Sequence, residues 1–202
     1  MKKQLKDILV NCNITTTRGD LDKTIQGLVF DSRKVTPETA FVAIRGVQAD
    51  GHSYIASVIE NGCSVVISEE EFEVPSNCTL IVTPNTSEML AVMATNFYDH
   101  PSKKLNLIGI TGTNGKTTST TLLFNLYKKL GFHCGLLSTV VNKIGDRAIA
   151  STHTTPDPVS LNQLLAEMVE DGCSHCFMEV SSHAIHQHRI TGLEFKGGVF
   201  TN

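Results

Sequence analysis

The amino-acid sequence predicts an α/β protein in two parts, a small unit over residues 1–101 and a second over residues 102–202 built on a mainly parallel sheet. Three observations carry this expectation. Short apolar runs of strand length recur along the chain, separated by stretches with helical spacing. From Leu105 onward they alternate as strand, helix, strand, helix, strand, the order that covers a parallel sheet with helices on both faces. Between the two parts, Pro101-Ser102-Lys103-Lys104 is polar and opens with a helix breaker, which places the boundary there.

In the first part, Lys2 to Val10 reads as a short amphipathic helix. Gln26 to Phe30, Ala40 to Ile44, Ser64 to Ile67 and Thr79 to Val82 read as strands. Tyr54 to Glu60 and Ser87 to Tyr98 read as helices, stopped by Asn61-Gly62 and by His100-Pro101. In the second part a strand begins at Leu105 and runs into a glycine-rich turn. The helix after it carries Leu122, Leu123, Leu126 and Leu130 as its buried stripe and stops at Gly131. Cys134 to Val141 is the next strand, and Asn142 to Arg147 a tight connection with hairpin character. Asp157 then caps a helix that starts at Pro158 and stops at Gly172. Cys176 to Val180 follows as a buried strand, and Gly198 to Asn202 looks like a strand cut as it emerges, so a longer chain is expected.

Composition narrows the function classes. With 202 residues, 41% of them hydrophobic, each part can bury a core. A formal net charge of -3 offers no basic surplus for a phosphate backbone, so nucleic acid is not expected as the main partner. No apolar run approaches the roughly 18 to 20 residues that cross a bilayer, and the N-terminus lacks the pattern of a secretion signal. A soluble cytoplasmic monomer without a membrane partner is expected. The six cysteines are scattered through apolar contexts and read as reduced thiols. Cys173-Ser174-His175-Cys176 has metal-ligand spacing, with His183, His186 and His188 downstream. It has no second Cys pair to match, and its place at the start of a buried strand argues for packing.

The chemistry concentrates in Gly112-Thr113-Asn114-Gly115-Lys116-Thr117-Thr118, where a strand turns into a helix. Glycines let backbone N–H groups curl around phosphate oxygens, Lys116 reaches the outer phosphates, and the Thr117 hydroxyl binds Mg²⁺. ATP and Mg²⁺ are the cofactors this predicts. The strict eight-residue pattern wants glycine six residues before the lysine, where this chain has Ile110. Glu179 ends an apolar strand at the sheet edge where ligands bind, and is the second candidate for Mg²⁺. Lys116 and Glu179 are therefore the candidate catalytic pair. Ser181-Ser182-His183-Ala184-Ile185-His186-Gln187-His188-Arg189 follows as a polar loop in which Arg189 can grip a carboxylate, oriented by Ser181 and Gln187. His153-Thr154-Thr155-Pro156-Asp157 offers hydroxyls near a helix N-terminus, although Asp157 is explained by capping alone.

Taken together, Phe-Asp-Ser-Arg at 30–33, Gln-Ala-Asp-Gly at 48–51, the loop at 112–118, Thr-Thr-Pro-Asp at 154–157, Met-Glu-Val-Ser-Ser-His-Ala at 178–184 and Gln-His-Arg at 187–189 resemble the Mur ligase family. The resemblance spans nearly the whole chain. It implies an N-terminal UDP-precursor-binding domain and an incomplete P-loop-type central ATPase domain. It also implies an ATP-dependent ligase of peptidoglycan precursor synthesis. Such an enzyme phosphorylates the terminal carboxylate of UDP-N-acetylmuramoyl-L-alanyl-D-glutamate, and the amine of a third amino acid, meso-diaminopimelate or L-lysine, attacks the acyl phosphate. By the same resemblance, Phe30, Ser32, Val47, Gln48 and Ala49 lie at the UDP end. His153, Thr154, Thr155, Ser181, Gln187 and Arg189 surround the muramoyl peptide, with His153 standing where many relatives carry Asn. The lysine that relatives carbamylate and the domain that selects the third amino acid would lie beyond Asn202, so these residues alone are expected not to ligate. Two alternatives stay open: another ligase of the superfamily, including a folylpolyglutamate synthase-like enzyme, and a non-catalytic nucleotide-binding module.

Overall fold

The computed structural model describes residues 1–46, 49–151 and 153–202. They divide into two compact units, Met1–Phe97 and Tyr98–Asn202.

The first unit runs β1 (Lys3–Gln4), α1 (Leu5–Ile8), β2 (Thr16–Arg18), β3 (Thr24–Ile25), β4 (Gly27–Val29), β5 (Thr39–Val42), α2 (Ile55–Glu60), β6 (Val65–Ser68), β7 (Thr79–Val82) and α3 (Thr86–Phe97). Its main sheet has the order β2-β7-β6-β5-β4, parallel from β4 to β7 and closed by antiparallel β2. Phe41, Val66 and Leu80 pack there against Ile55 and Val58 of α2. The four expected strands are all present, with ends shifted by a residue or two. The first helix is much shorter than expected. Lys3 and Gln4 pair with Ile25 and Thr24, and Leu5 N–H donates to Lys23 O at 2.8 Å, so tertiary pairing takes the residues that would have opened the helix. Asn11, at φ 60°, ends it on the other side.

The second unit runs β8 (Asn106–Thr111), α4 (Lys116–Lys129), β9 (Cys134–Leu137), β10 (Val141–Ile144), β11 (Arg147–Ala150), α5 (Pro158–Glu170), β12 (His175–Glu179), α6 (Ser182–His186) and β13 (Gly197–Phe200). Pro101–Lys104 forms a 3-10 turn that packs on α5. The sheet order is β11-β10-β9-β12-β8-β13, with β9, β12, β8 and β13 parallel and β10–β11 an antiparallel hairpin. The fold is thus mixed α/β with parallel sheets.

Two sequence expectations fail in this unit. Cys134 to Val141 is not one strand, because the chain reverses after Leu137. Ser138 Oγ donates to Val141 O at 2.8 Å and Ser138 N–H donates to Asn142 Oδ1 at 3.2 Å, so side chains build a turn without glycine or proline. In α4 the proposed stripe is mostly outside: Leu122, Leu126 and Leu130 are 63%, 51% and 63% exposed. The face against the sheet is instead Thr120 and Phe124, with Leu123 and Tyr127 partly buried beside Ile110, Leu136 and Phe177. α5 matches its expectation. Asp157 caps it, accepting from Val159 N–H and Ser160 N–H at 3.0 Å, and Gly172 ends it at φ 79°. Among the described residues no helix is long and apolar enough to cross a membrane.

Candidate active site

The parallel strands β8 and β12 end at the same edge of their sheet, and the chemistry collects there. β8 leaves at Thr111 into a loop that needs two glycines. Gly112 has φ 139°, and a Cβ there would lie 2.2 Å from Thr201 O. Gly115 has φ 83° and is the N-cap of α4, so no side chain satisfies the first N–H groups of that helix. Those donors and the positive helix end face the loop, which is how a helix start holds an anion. Thr201 braces the loop from β13: its hydroxyl donates to Asn114 O at 2.7 Å, and Asn114 N–H donates to Asn202 O at 2.5 Å. Lys116 Nζ donates to Gly112 O at 2.6 Å and Thr113 O at 3.1 Å, so its ammonium lies along the loop backbone.

Glu179, the last residue of β12, is 1% exposed. Its Oε1 accepts from Thr139 N–H at 2.9 Å, and its Oε2 accepts from the hydroxyls of Thr139 and Thr117, both at 3.1 Å. Among the described residues no basic side chain forms an ion pair with it. A buried carboxylate with hydroxyl neighbours and no cation is costly. Oxygen donors from Thr117 and Glu179 at one place fit a hard divalent cation such as Mg²⁺. A cavity of about 750 Å³ opens in front of them, lined by residues 111–118 together with Thr139, Thr154, Glu179, Ser181, Ser182, His183 and Phe200.

The structure brings some of the remaining candidate residues into this cavity and leaves others outside. Thr154 is in its wall, with its hydroxyl donating to Thr139 Oγ1 at 3.1 Å. Ser181 also lines it, with its Oγ accepting from Ala184 N–H as the cap of α6. Thr155 is buried behind the wall, where its hydroxyl donates to Glu179 O at 2.9 Å and accepts from Ser181 N–H at 3.2 Å. Arg189 holds that arrangement in place. Nη1 donates to Thr155 O at 2.7 Å, while Nε and Nη2 both donate to Gln187 Oε1. The planar fork is engaged by an amide rather than by a carboxylate. His153 is exposed and outside the cavity lining. In the first unit Phe30 is 40% exposed and Ser32 begins a 3-10 turn capped by Asp31. Ala49 O accepts from Gly46 N–H at 3.0 Å. Val47 and Gln48 lie outside the described residues. Cys173 and Cys176 are buried, whereas His183, His186 and His188 follow β12 at its far end, so the metal grouping considered from their spacing does not form.

Sequence reasoning missed Thr139. It touches Glu179 twice and Thr154 once. Its signal was present: a Ser-Thr pair directly after an apolar strand whose end shares the ligand edge.

The Mur ligase middle domain model matches residues 110–202, and the Mur ligase family catalytic domain model matches residues 24–98. The chain belongs to the Mur ligase family. It is 53% identical over 201 residues to the UDP-N-acetylmuramoyl-L-alanyl-D-glutamate–2,6-diaminopimelate ligase of Cytophaga hutchinsonii, covering 98% of this chain and 41% of that protein. It is 40% identical over 202 residues to the ligase of the same name from Clostridium tetani, covering 98% and 42%. A solved structure of a ligase with this name superposes with a TM-score of 0.80 at 26% identity, covering all of this chain and 40% of the other. The MurF ligase of Thermotoga maritima in complex with ADP shares the fold, with a TM-score of 0.52 at 22% identity over 78% of this chain and 32% of that one. The chain thus spans about two fifths of the length of the ligases it matches, 41% in the first case.

Proposed function

We propose that this chain is the nucleotide-binding part of an ATP-dependent ligase that joins a third amino acid to UDP-N-acetylmuramoyl-L-alanyl-D-glutamate. The amino acid is 2,6-diaminopimelate, in keeping with the names of the relatives, rather than L-lysine, and the enzyme works in the cytoplasm as a monomer. The observation that carries the reading is the meeting of Thr117 and Glu179 at 3.1 Å beneath an uncapped helix start.

When bound, ATP with Mg²⁺ supplies the phosphoryl group and neutralises charge as two anions are brought together. The chain's own residues do the rest by positioning and electrostatics. The N–H groups of residues 115–118 at the helix start would hold the phosphates, and Lys116, now on its loop carbonyls, would neutralise the outer phosphate oxygens. Glu179 and Thr117 would hold the divalent ion, with Thr139 keeping the Glu179 carboxylate aimed. Thr154 and Ser181 line the wall where the acceptor carboxylate arrives, and Arg189 fixes that wall through Thr155. Phe30, Ser32, Val47, Gln48, Ala49 and His153 belong to the muramoyl-nucleotide in this reading, and Gln187 to the setting of Arg189. No side-chain nucleophile is needed, since the acceptor carboxylate attacks directly.

The test is ADP release by the full-length enzyme with the muramoyl dipeptide and meso-diaminopimelate. Lys116→Ala and Glu179→Gln are each expected to lower kcat by about 100-fold or more. Nucleotide hydrolysis that ignores the muramoyl substrate, or full turnover with Glu179→Gln, would reject the assignment.

A further inference from the structure

The two ends of the second unit's parallel sheet carry different chemistry. The cavity sits where β8 and β12 finish. At the other end, where β9 and β12 begin, His133, Asp171 and Cys173 meet. His133 immediately precedes β9, and Asp171 and Cys173 follow α5. One donor atom from each, a ring nitrogen, a carboxylate oxygen and a sulfur, lies within 4.8 Å of the other two. His133 Nε2 and Asp171 Oδ2 are 2.7 Å apart.

The surrounding backbone holds this group in place. Ser174 N–H donates to His133 O at 2.9 Å, and Cys173 N–H donates to Met168 O at 2.9 Å. The imidazole lies over the β10–β11 turn so closely that a Cβ at Gly145 would be 2.3 Å from His133 Cε1. Cys173 is 6% exposed, whereas the side chains of His133 and Asp171 are 46% and 48% exposed, giving the group a dry floor and an open side. A cleft of about 230 Å³ beside the imidazole leaves room for water. Among the described residues that line it, the one lysine, Lys128, is already paired with Asp146.

We propose that His133, Asp171 and Cys173 form a binding site for a transition-metal cation, with Zn²⁺ as the best-suited occupant and water as its fourth ligand. One imidazole, one carboxylate and one thiolate are a borderline donor set that suits tetrahedral Zn²⁺ better than Mg²⁺. Binding opens the His133–Asp171 hydrogen bond and releases the thiol proton to solvent. The ion fastens the turn before β9 to the turn before β12, at the opposite end of the sheet from the nucleotide. It does so independently of the reaction proposed above.

The experiment titrates the metal-free chain with Zn²⁺ against a chromogenic chelator, and with Co²⁺ followed by visible absorption. One equivalent of Zn²⁺ is expected, together with a thiolate-to-cobalt charge-transfer band. His133→Gln and Cys173→Ser should each weaken binding about 10-fold or more, while Glu179→Gln leaves it unchanged. Cys173 is buried, so far-UV circular dichroism of the metal-free variants and the half-exposed His133→Gln variant separate loss of the site from loss of the fold. Lack of stoichiometric Zn²⁺, a cobalt spectrum without the thiolate band, or binding that survives both variants and disappears in Glu179→Gln overturns the proposal.

Discussion

At the scale of single residues, His175 shows how burial sets a pH limit. Its ring lies 4.9 Å from those of Tyr127 and Phe132 and stacks on Phe177 at 6.4 Å. Desolvation disfavours the imidazolium, so the folded chain holds the His175 pKa below 6.5. In the unfolded chain it takes up its proton at the ordinary value. Stability is therefore flat above about 6.5 and falls as pH drops from there toward the folded value, because the unfolded state binds more protons. His175→Phe keeps a ring in the cluster and is expected to flatten this acid limb, read from urea melts across pH 5 to 7. His100, lowered mainly by desolvation, leaves a residual slope. The same scale explains which site residues could be read early. Thr117 and Glu179 are set by motif and strand end, which the sequence carries in a line. Thr139 acts through a carboxylate 40 residues away and comes into place only when β9 and β12 pair. Arg189 was legible as a fork-shaped donor, but its use on Gln187 and Thr155 depends on how the loop after α6 turns, with His188 at φ 57°.

At the scale of elements, α4 teaches the most. Two stripes of the same helix have helical spacing. One joins Leu122, Leu126 and Leu130, and the other joins Thr120, Leu123, Phe124 and Tyr127. Hydrophobicity alone favours the leucines, yet the phosphate loop fixes where the helix starts and so which side meets the sheet. The sheet side is the second, where Thr120 satisfies its hydroxyl on Lys116 O at 2.6 Å. Phe124→Ala is accordingly expected to destabilise the chain by about 3–5 kcal/mol. Leu126→Glu should stay within about 0.5 kcal/mol of the parent. Chemical denaturation of both variants decides between the two faces, and a large loss from Leu126→Glu would restore the leucine stripe. Strand existence was legible where apolar runs were long, as in β6, β7, β8 and β12. The edge strand β2, Thr-Thr-Arg, has no apolar run to announce it, and the break after β9 was hidden because side-chain hydrogen bonds, not a glycine, reverse the chain.

At the scale of the whole molecule, ligand and folding are linked. A helix start with no side-chain cap and a buried carboxylate held only by hydroxyls and one N–H are both electrostatic deficits within the chain's own residues, and bound Mg·ATP would relieve both. Mg·ATP at 100 times its Kd should therefore stabilise the nucleotide-binding unit by about 2.7 kcal/mol, measured as a denaturant-midpoint shift. Chelating the divalent ion, or Glu179→Gln, should remove most of that gain. A gain that persists in the chelator would place the nucleotide elsewhere. The chain divides between Phe97 and Tyr98 into two compact units, a few residues before the polar turn at Pro101 where the sequence changes rhythm, and that turn is itself packed on α5.

The tail of β13 gives the nucleotide grip a mechanical side. Through Thr201 and Asn202, the glycine-rich loop after β8 is tied to the end of β13 at three points, Thr111 O, Asn114 O and Asn114 N–H. A displacement of that strand therefore moves the loop directly, and with it the cradle that the proposed function assigns to the triphosphate.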